Sequence, residues 1–240
     1  MDLRLPRQLR RDEPDLPAPV EATTSSVFAA LTHIRGPRVF HPHGHAFTCT
    51  LTLSEGRVVR DAGLVAGQQF SGLVRLSRSV GLPAPLPDAR GIGLRLYDFP
   101  DPGNTQDLLF VTSASPRVLR RTIMFSNGFL RRIYSTMLGY DFGGHRVVLA
   151  LRPADDAPAD STLEDVAEAV RAGAAIFTLQ SAAPWSSWDD IGLLRLEQPM
   201  APGADEGLEF NPWHASPQLR PVGFLNALRN AAYRGSQSAR

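Results

Sequence analysis

Two short stretches of this 240-residue chain carry residue types that chemistry needs: RVFHPHGHAF (38–47) and RNAAY (229–233). The first sets His41, His43 and His45 at alternate positions. In an extended segment such positions share a face, so three imidazoles could converge on a zinc or copper ion. Pro42 and Gly44 interrupt that geometry, and no nearby carboxylate supplies a fourth ligand. One working histidine, or three solvated ones, fit the same residues. In the second stretch, on a helix, Arg229 lies one turn before Tyr233 and on the same face. A guanidinium there favours the phenolate by charge and hydrogen bonding, lowering a pKa that is ordinarily about 10. A phenolate can ligate ferric heme iron. Tyr97, Tyr134 and Tyr140 lack such a partner, because Gly93, Leu130 and Thr136 stand four residues before them. Spacing alone leaves open the blander alternative of an arginine packed along a tyrosine ring.

The bulk of the sequence narrows the field. The 25 basic residues are all arginine, so Schiff-base chemistry and lysine general bases are excluded. A formal net charge of +1 gives no global field for nucleic acid. The single cysteine, Cys49, rules out a disulfide framework and multi-cysteine metal sites, and its strand parity places it in the core. The N-terminus is charged and Pro-rich with no apolar export core, and no stretch approaches the roughly 20 apolar residues that span a bilayer. A cytoplasmic protein with no membrane or nucleic-acid partner is expected.

These residues need a scaffold. Residues 1–22 read as an irregular arm and 23–240 as one domain. SSVFAALTHI (25–34) fits a short helix ended by Gly36-Pro37. From His45 to Leu53 apolar residues alternate with Ala46 and threonines, the period of a half-buried strand. Further strands are predicted at 68–77, 91–98, 106–112, 146–151, 174–181 and 190–198. Residues 116–138 read as a long amphipathic helix, with Phe125 and Phe129 toward the core and Gly128 a weak point. STLEDVAEAVRAG (161–173) reads as a helix with Ser161 as N-cap and Glu164 completing the box. A last helix is predicted from about Val222 to Arg234. Trp185, Trp188 and Trp213 read as packing residues and His214 as a turn residue. Strands, helices, strands and a helical tail make an α+β fold with an antiparallel sheet or barrel.

Four motifs in order resemble the catalase family. RVFHPHGHAF is similar to the segment around the distal histidine, and LVRLS (73–77) to the next barrel strand. ARGIGLRLYDFP with DLLFVTSASP (89–116) resembles the following hairpin. FNPWHASPQLRPVGFLNALRNAAY, the most specific match, resembles the ending of small catalase-related heme proteins. The resemblance spans about 38–233. It implies a catalase-like antiparallel β-barrel with flanking helices and a C-terminal helix carrying the heme-ligand tyrosine.

The implied roles are as follows. Tyr233 is the proximal ligand of heme b iron and Arg229 its phenolate-stabilising partner. His41 is the distal acid/base. Arg38 and Arg75 hold heme propionates, a task suited to guanidinium forks, and Ser77 fixes the imidazole tautomer. Ser113 stands where catalases carry a distal asparagine, and Phe40 where they carry valine. The C-terminal NADPH domain and a third propionate arginine have no counterpart. The expectation is a heme-dependent peroxidase acting on hydrogen peroxide or on organic and fatty acid hydroperoxides, with weak catalase activity at most. Its partners would be a peroxide and a small organic substrate, with a homo-oligomer left open. The alternatives are a non-catalytic barrel binding heme or a hydrophobic ligand, and a His-based metal-binding protein.

Overall fold

The computed structural model describes residues 44–78, 86–116, 119–160, 162–201, 203–205 and 207–222. Ten strands occur there: β1 (Gly44–Leu53), β2 (Gln69–Arg78), β3 (Arg90–Tyr97), β4 (Thr105–Thr112), β5 (Tyr134–Ser135), β6 (Tyr140–Phe142), β7 (His145–Pro153), β8 (Ile176–Ala182), β9 (Asp189–Pro199) and β10 (Leu219–Pro221). The two described helices are short, α1 (Arg57–Asp61) and α2 (Leu163–Arg171).

Every pairing is antiparallel. The order β7-β5-β4-β3-β2-β1-β9-β8 closes on itself through a β7–β8 pairing, giving an eight-stranded barrel. Closure leaves no edge among these eight strands, while β6 and β10 extend outward from β7. One parity of each strand fills the interior. Phe47, Val74, Leu94 and Leu108 form one such row across β1 to β4, each 1% exposed or less. A small barrel is filled by its own side chains, so the inside holds packing and the outside is left for function.

The alternation in the sequence marks the seven longer strands to within a few residues. It misses β5, β6 and β10, which at two or three residues are too short to show a period. Cys49 is buried in the core as expected.

The predicted long helix over 116–138 is not formed among its described residues. Its apolar and arginine spacing suits a helix, but its backbone donors find distant acceptors. Met124 N–H donates to Thr112 O (2.9 Å) and Ser126 N–H to Asp88 O (2.9 Å). The amides of Phe129 and Leu130 both donate to the buried Asp160 carboxylate. Gly128 permits that approach, since a Cβ there would lie 2.5 Å from Asp160 O. Phe129 is core, but Phe125 is half-exposed.

The helix predicted at 161–173 is present, with its cap displaced by one residue. Thr162, not Ser161, is the N-cap, and its hydroxyl and the Asp165 carboxylate complete the box. Trp185 is exposed, at a left-handed φ of 66°, rather than packed. The arm at 1–22, the helix at 25–34 and the tail helix from about Val222 lie outside the described residues.

Candidate functional site

The outward parity of β1 to β4 is unusually small. Cross-strand pairing aligns Gly44, Ser77, Gly91 and Val111 in one outer row. The next row is Ala46, Arg75, Gly93 and Leu109. Four strands about 4.8 Å apart make this wall roughly 14 Å wide. Ser77 is 3% exposed and Gly91 is buried, although both face away from the barrel interior. The row is therefore a covered shelf with almost no side-chain relief.

Ser113 stands at its rim, two residues past Val111 and on the same parity. Its backbone N–H donates to Ile133 O (2.9 Å). Its hydroxyl is buried, with no hydrogen-bond partner. Buried hydroxyls are nearly always satisfied by protein, water or ligand, so this one is available to a group from outside the chain. Among the described residues the Ser77 hydroxyl makes one long contact, 3.5 Å to Gly91 O.

Arg75 borders the shelf. Its guanidinium lies across Gly44, where a Cβ would come 2.8 Å from Cζ. Here the geometry adds a partner that spacing did not show. Arg75 Nε donates to Asp205 Oδ2 at 3.0 Å, from a loop 130 residues away.

A second cluster clasps the FNPWH segment to the wall. Asp107 is fully buried; Arg95 donates to both its oxygens at 2.7 Å. Asn211 N–H donates to Oδ2 at 2.8 Å, and His214 Nδ1 lies 3.2 Å away. The hydrogen bonds to Asp107 raise the Arg95 pKa, opposed by partial burial. Gln106 Oε1 accepts from Ser216 N–H (2.9 Å), and Arg95 donates to Glu209 O (2.6 Å). The Phe210 ring occupies the space over Gly93, where a Cβ would meet it at 2.8 Å. His214, expected as a turn residue, is part of this clasp. Beyond it, β10 pairs with β6 and Val222 N–H reaches Gly139 O (2.9 Å), which fixes where the tail departs.

The barrel interior ends near the shelf in buried charge. Arg78 Nε is 3.5 Å from Asp88, and Arg90 lies over the Phe129 ring at 4.5 Å. Burial, then the neighbouring Arg78, lowers the Arg90 pKa. Beside this end a cleft of about 680 Å³ opens between Phe125, Arg131, Arg132 and Asp160.

Of the expected site residues, Arg75, Ser77 and Ser113 are described, and all three fall on or beside the shelf. Arg38, His41, Arg229 and Tyr233 lie outside the described residues, as does His43. His45 is exposed at the start of β1, and no cluster of three metal-ligating side chains occurs among the described residues. No helix among them is long and apolar enough to cross a membrane.

No protein-family profile matches the sequence, and no curated protein matches it either. Solved structures do. A fungal catalase superposes with a TM-score of 0.58 at 14% identity, over 93% of this chain and 62% of that one. Catalase A from Saccharomyces cerevisiae gives 0.58 at 13% identity, over 92% and 64%. The fold is catalase-like. A bacterial catalase gives 0.56 at 14% identity, over 88% of this chain and 58% of that one. The chain thus spans about six-tenths of the length of these catalases, and at such identity the likeness is one of fold alone.

The shelf's donor set, a guanidinium and two hydroxyls beside glycines, suits a flat ligand that bears a carboxylate, once the chain's own cover over the row is displaced. Glycines 44 and 91 keep the row flat, Arg75 carries a guanidinium that can hold a carboxylate, and Ser113 offers a buried hydroxyl.

Proposed function

We propose that this chain is a heme-dependent peroxidase, with heme b resting on the outer shelf of the barrel and peroxides handled between it and the wall. The partnerless Ser113 hydroxyl at the rim of a glycine-lined shelf, on a catalase-like barrel, is the observation that carries this reading. Bound heme would supply the redox chemistry of peroxide reduction.

The chain's own residues would do the rest. His41 lies three residues before Gly44, the first residue of the shelf, so its Cα stays within about 11 Å of Gly44 in any conformation. From there a neutral imidazole moves a proton between the two peroxide oxygens, first as base and then as acid, an effect worth about 10²–10⁴-fold. Ser77 would hold the tautomer of that ring, and Ser113 would donate a hydrogen bond to the substrate oxygen. Arg38 and Arg75 would pair with the propionates. Tyr233 would ligate the iron, and Arg229 would keep the phenol deprotonated.

A serine hydroxyl reaches less far than the amide of an asparagine, which favours organic hydroperoxides and weak catalase activity. Purified protein should take up hemin with a Soret band that Tyr233→Phe removes or shifts. Guaiacol oxidation should exceed oxygen evolution, and His41→Ala should lose it by at least 10²-fold. Protein that takes up no hemin overturns the proposal. Hemin uptake with turnover indifferent to His41→Ala would leave a non-catalytic heme-binding barrel.

A further inference from the structure

The cleft at Phe125, Arg131, Arg132 and Asp160 is separate from the shelf: none of Arg75, Ser77 and Ser113 lines it. Its wall is the stretch whose spacing suits a helix but whose backbone is held open. Ser126 exchanges two backbone bonds with Asp88 (2.9 and 3.1 Å), and its hydroxyl donates to Gly128 O at 2.7 Å. The amides of Phe129 and Leu130 end on Asp160. Arg131 and Arg132 follow directly, both exposed, on a backbone that is already fixed. The Arg131 stem lies over Gly128, where a Cβ would come 3.0 Å from its Cδ.

The charge here is not balanced. Among the described residues, neither of these two guanidiniums has an ion-pair or hydrogen-bond partner. Asp160, the carboxylate in the lining, is buried and already accepts two amides. Arg90 donates Nη2 to Asn127 O (3.2 Å), which sets a third guanidinium behind the lining. Pro87 and the half-exposed Phe125 ring supply the apolar part. A cleft of about 680 Å³ has the size of a site for an organic molecule rather than an inorganic ion. Two apolar residues cannot cover a long alkyl chain, whereas one flat ring can lie against Phe125. Guanidinium planes stack on such rings and pair with carboxylates.

We propose that this cleft binds an aromatic carboxylate, with its ring against Phe125 and its carboxylate between Arg131 and Arg132. The inference stands apart from the heme reading, since no residue assigned to heme takes part and hemin does not enter the test. The two arginines are exposed and their segment is held by backbone bonds, so replacing them leaves the fold intact. Exposed charge pairs contribute up to about 1 kcal/mol each, which is about fivefold in affinity.

The test is calorimetric titration of the full chain with naphthoate, neutral naphthamide, acetate and decanoate, at low and high salt. Naphthoate should bind tightest of the four, and more weakly at high salt. Arg131→Ala and Arg132→Ala should each weaken it about fivefold. Arg57→Ala, which removes an exposed arginine of α1, should bind as wild type does. Phe125→Ala should weaken naphthoate and leave acetate unchanged. No naphthoate binding, naphthamide binding as tight as naphthoate, or an R131A/R132A double variant that binds like Arg57→Ala overturns the site. Acetate or decanoate binding at least as tightly as naphthoate overturns the aromatic class.

Discussion

Replacing Ser113 by alanine should make the ligand-free protein more stable. The Ser113 side chain is 2% exposed and its hydroxyl has no partner, so folding strips it of water without compensation. An unsatisfied buried hydroxyl costs about 1–3 kcal/mol. Alanine removes the cost and vacates the volume of one oxygen atom, a small penalty beside it. The net gain should be about 1 kcal/mol, or about 2–4 °C in Tm for a domain of this size. Ser135→Ala is the matched control. That serine is equally buried, but its hydroxyl donates to Arg120 O at 2.8 Å, so its loss should destabilise by about 1 kcal/mol. Urea unfolding of both variants in heme-free protein measures the difference, and their opposite signs are the result to look for. Ser113→Ala should also lower peroxidase turnover in heme-loaded protein. If S113A lost stability as S135A does, the hydroxyl would be satisfied in solution, and the argument that it awaits a ligand would fail.

Asp107→Asn should cost about 3–5 kcal/mol, because Arg95 keeps its charge beside a fully buried site that has lost its counter-charge. Hydrogen exchange should localise the loss to 209–216, and a change below about 0.5 kcal/mol would show that the clasp contributes nothing. Thr162→Ala should lower stability by about 1 kcal/mol through the lost cap of α2, while Glu164→Ala at the sequence-predicted box position should be near neutral in the same urea assay. Burial, then Glu197, pushes the Cys49 thiol up to about 12, and burial raises the Tyr134 phenol as well. Both groups are neutral when protonated and ionise more readily unfolded. Their contribution is thus whole below about pH 9 and fades as pH rises toward 12, by up to about 1.4 kcal/mol per unit per group. Urea midpoints measured from pH 8 to 11 should fall, less steeply in Cys49→Ala, and native Cys49 should resist thiol reagents at neutral pH.

The strands were legible because alternation is a local property: Phe47, Cys49, Leu51 and Leu53 show the inner face of β1 without any neighbour. Arg75 and Ser77, two apart on a predicted strand, share a face by the same rule, whereas their place beside Ser113 was implied only by the resemblance. The clasp was half legible. Arg95 and Asp107 oppose each other on the predicted hairpin, but nothing local says that Asn211 and His214 return to them from more than 100 residues away. Residues 116–138 misled for the same reason. Spacing reports which face could be apolar, not where the backbone donors go, and here Asp160, Asp88 and Thr112 take them. Composition and period thus determined the strands, the inner core and the absence of lysine chemistry. Tertiary structure alone decided barrel closure through β7 and β8, the orphaned Ser113 hydroxyl and the Arg75–Asp205 pair. Each of these joins segments whose separation along the chain leaves no local pattern to read.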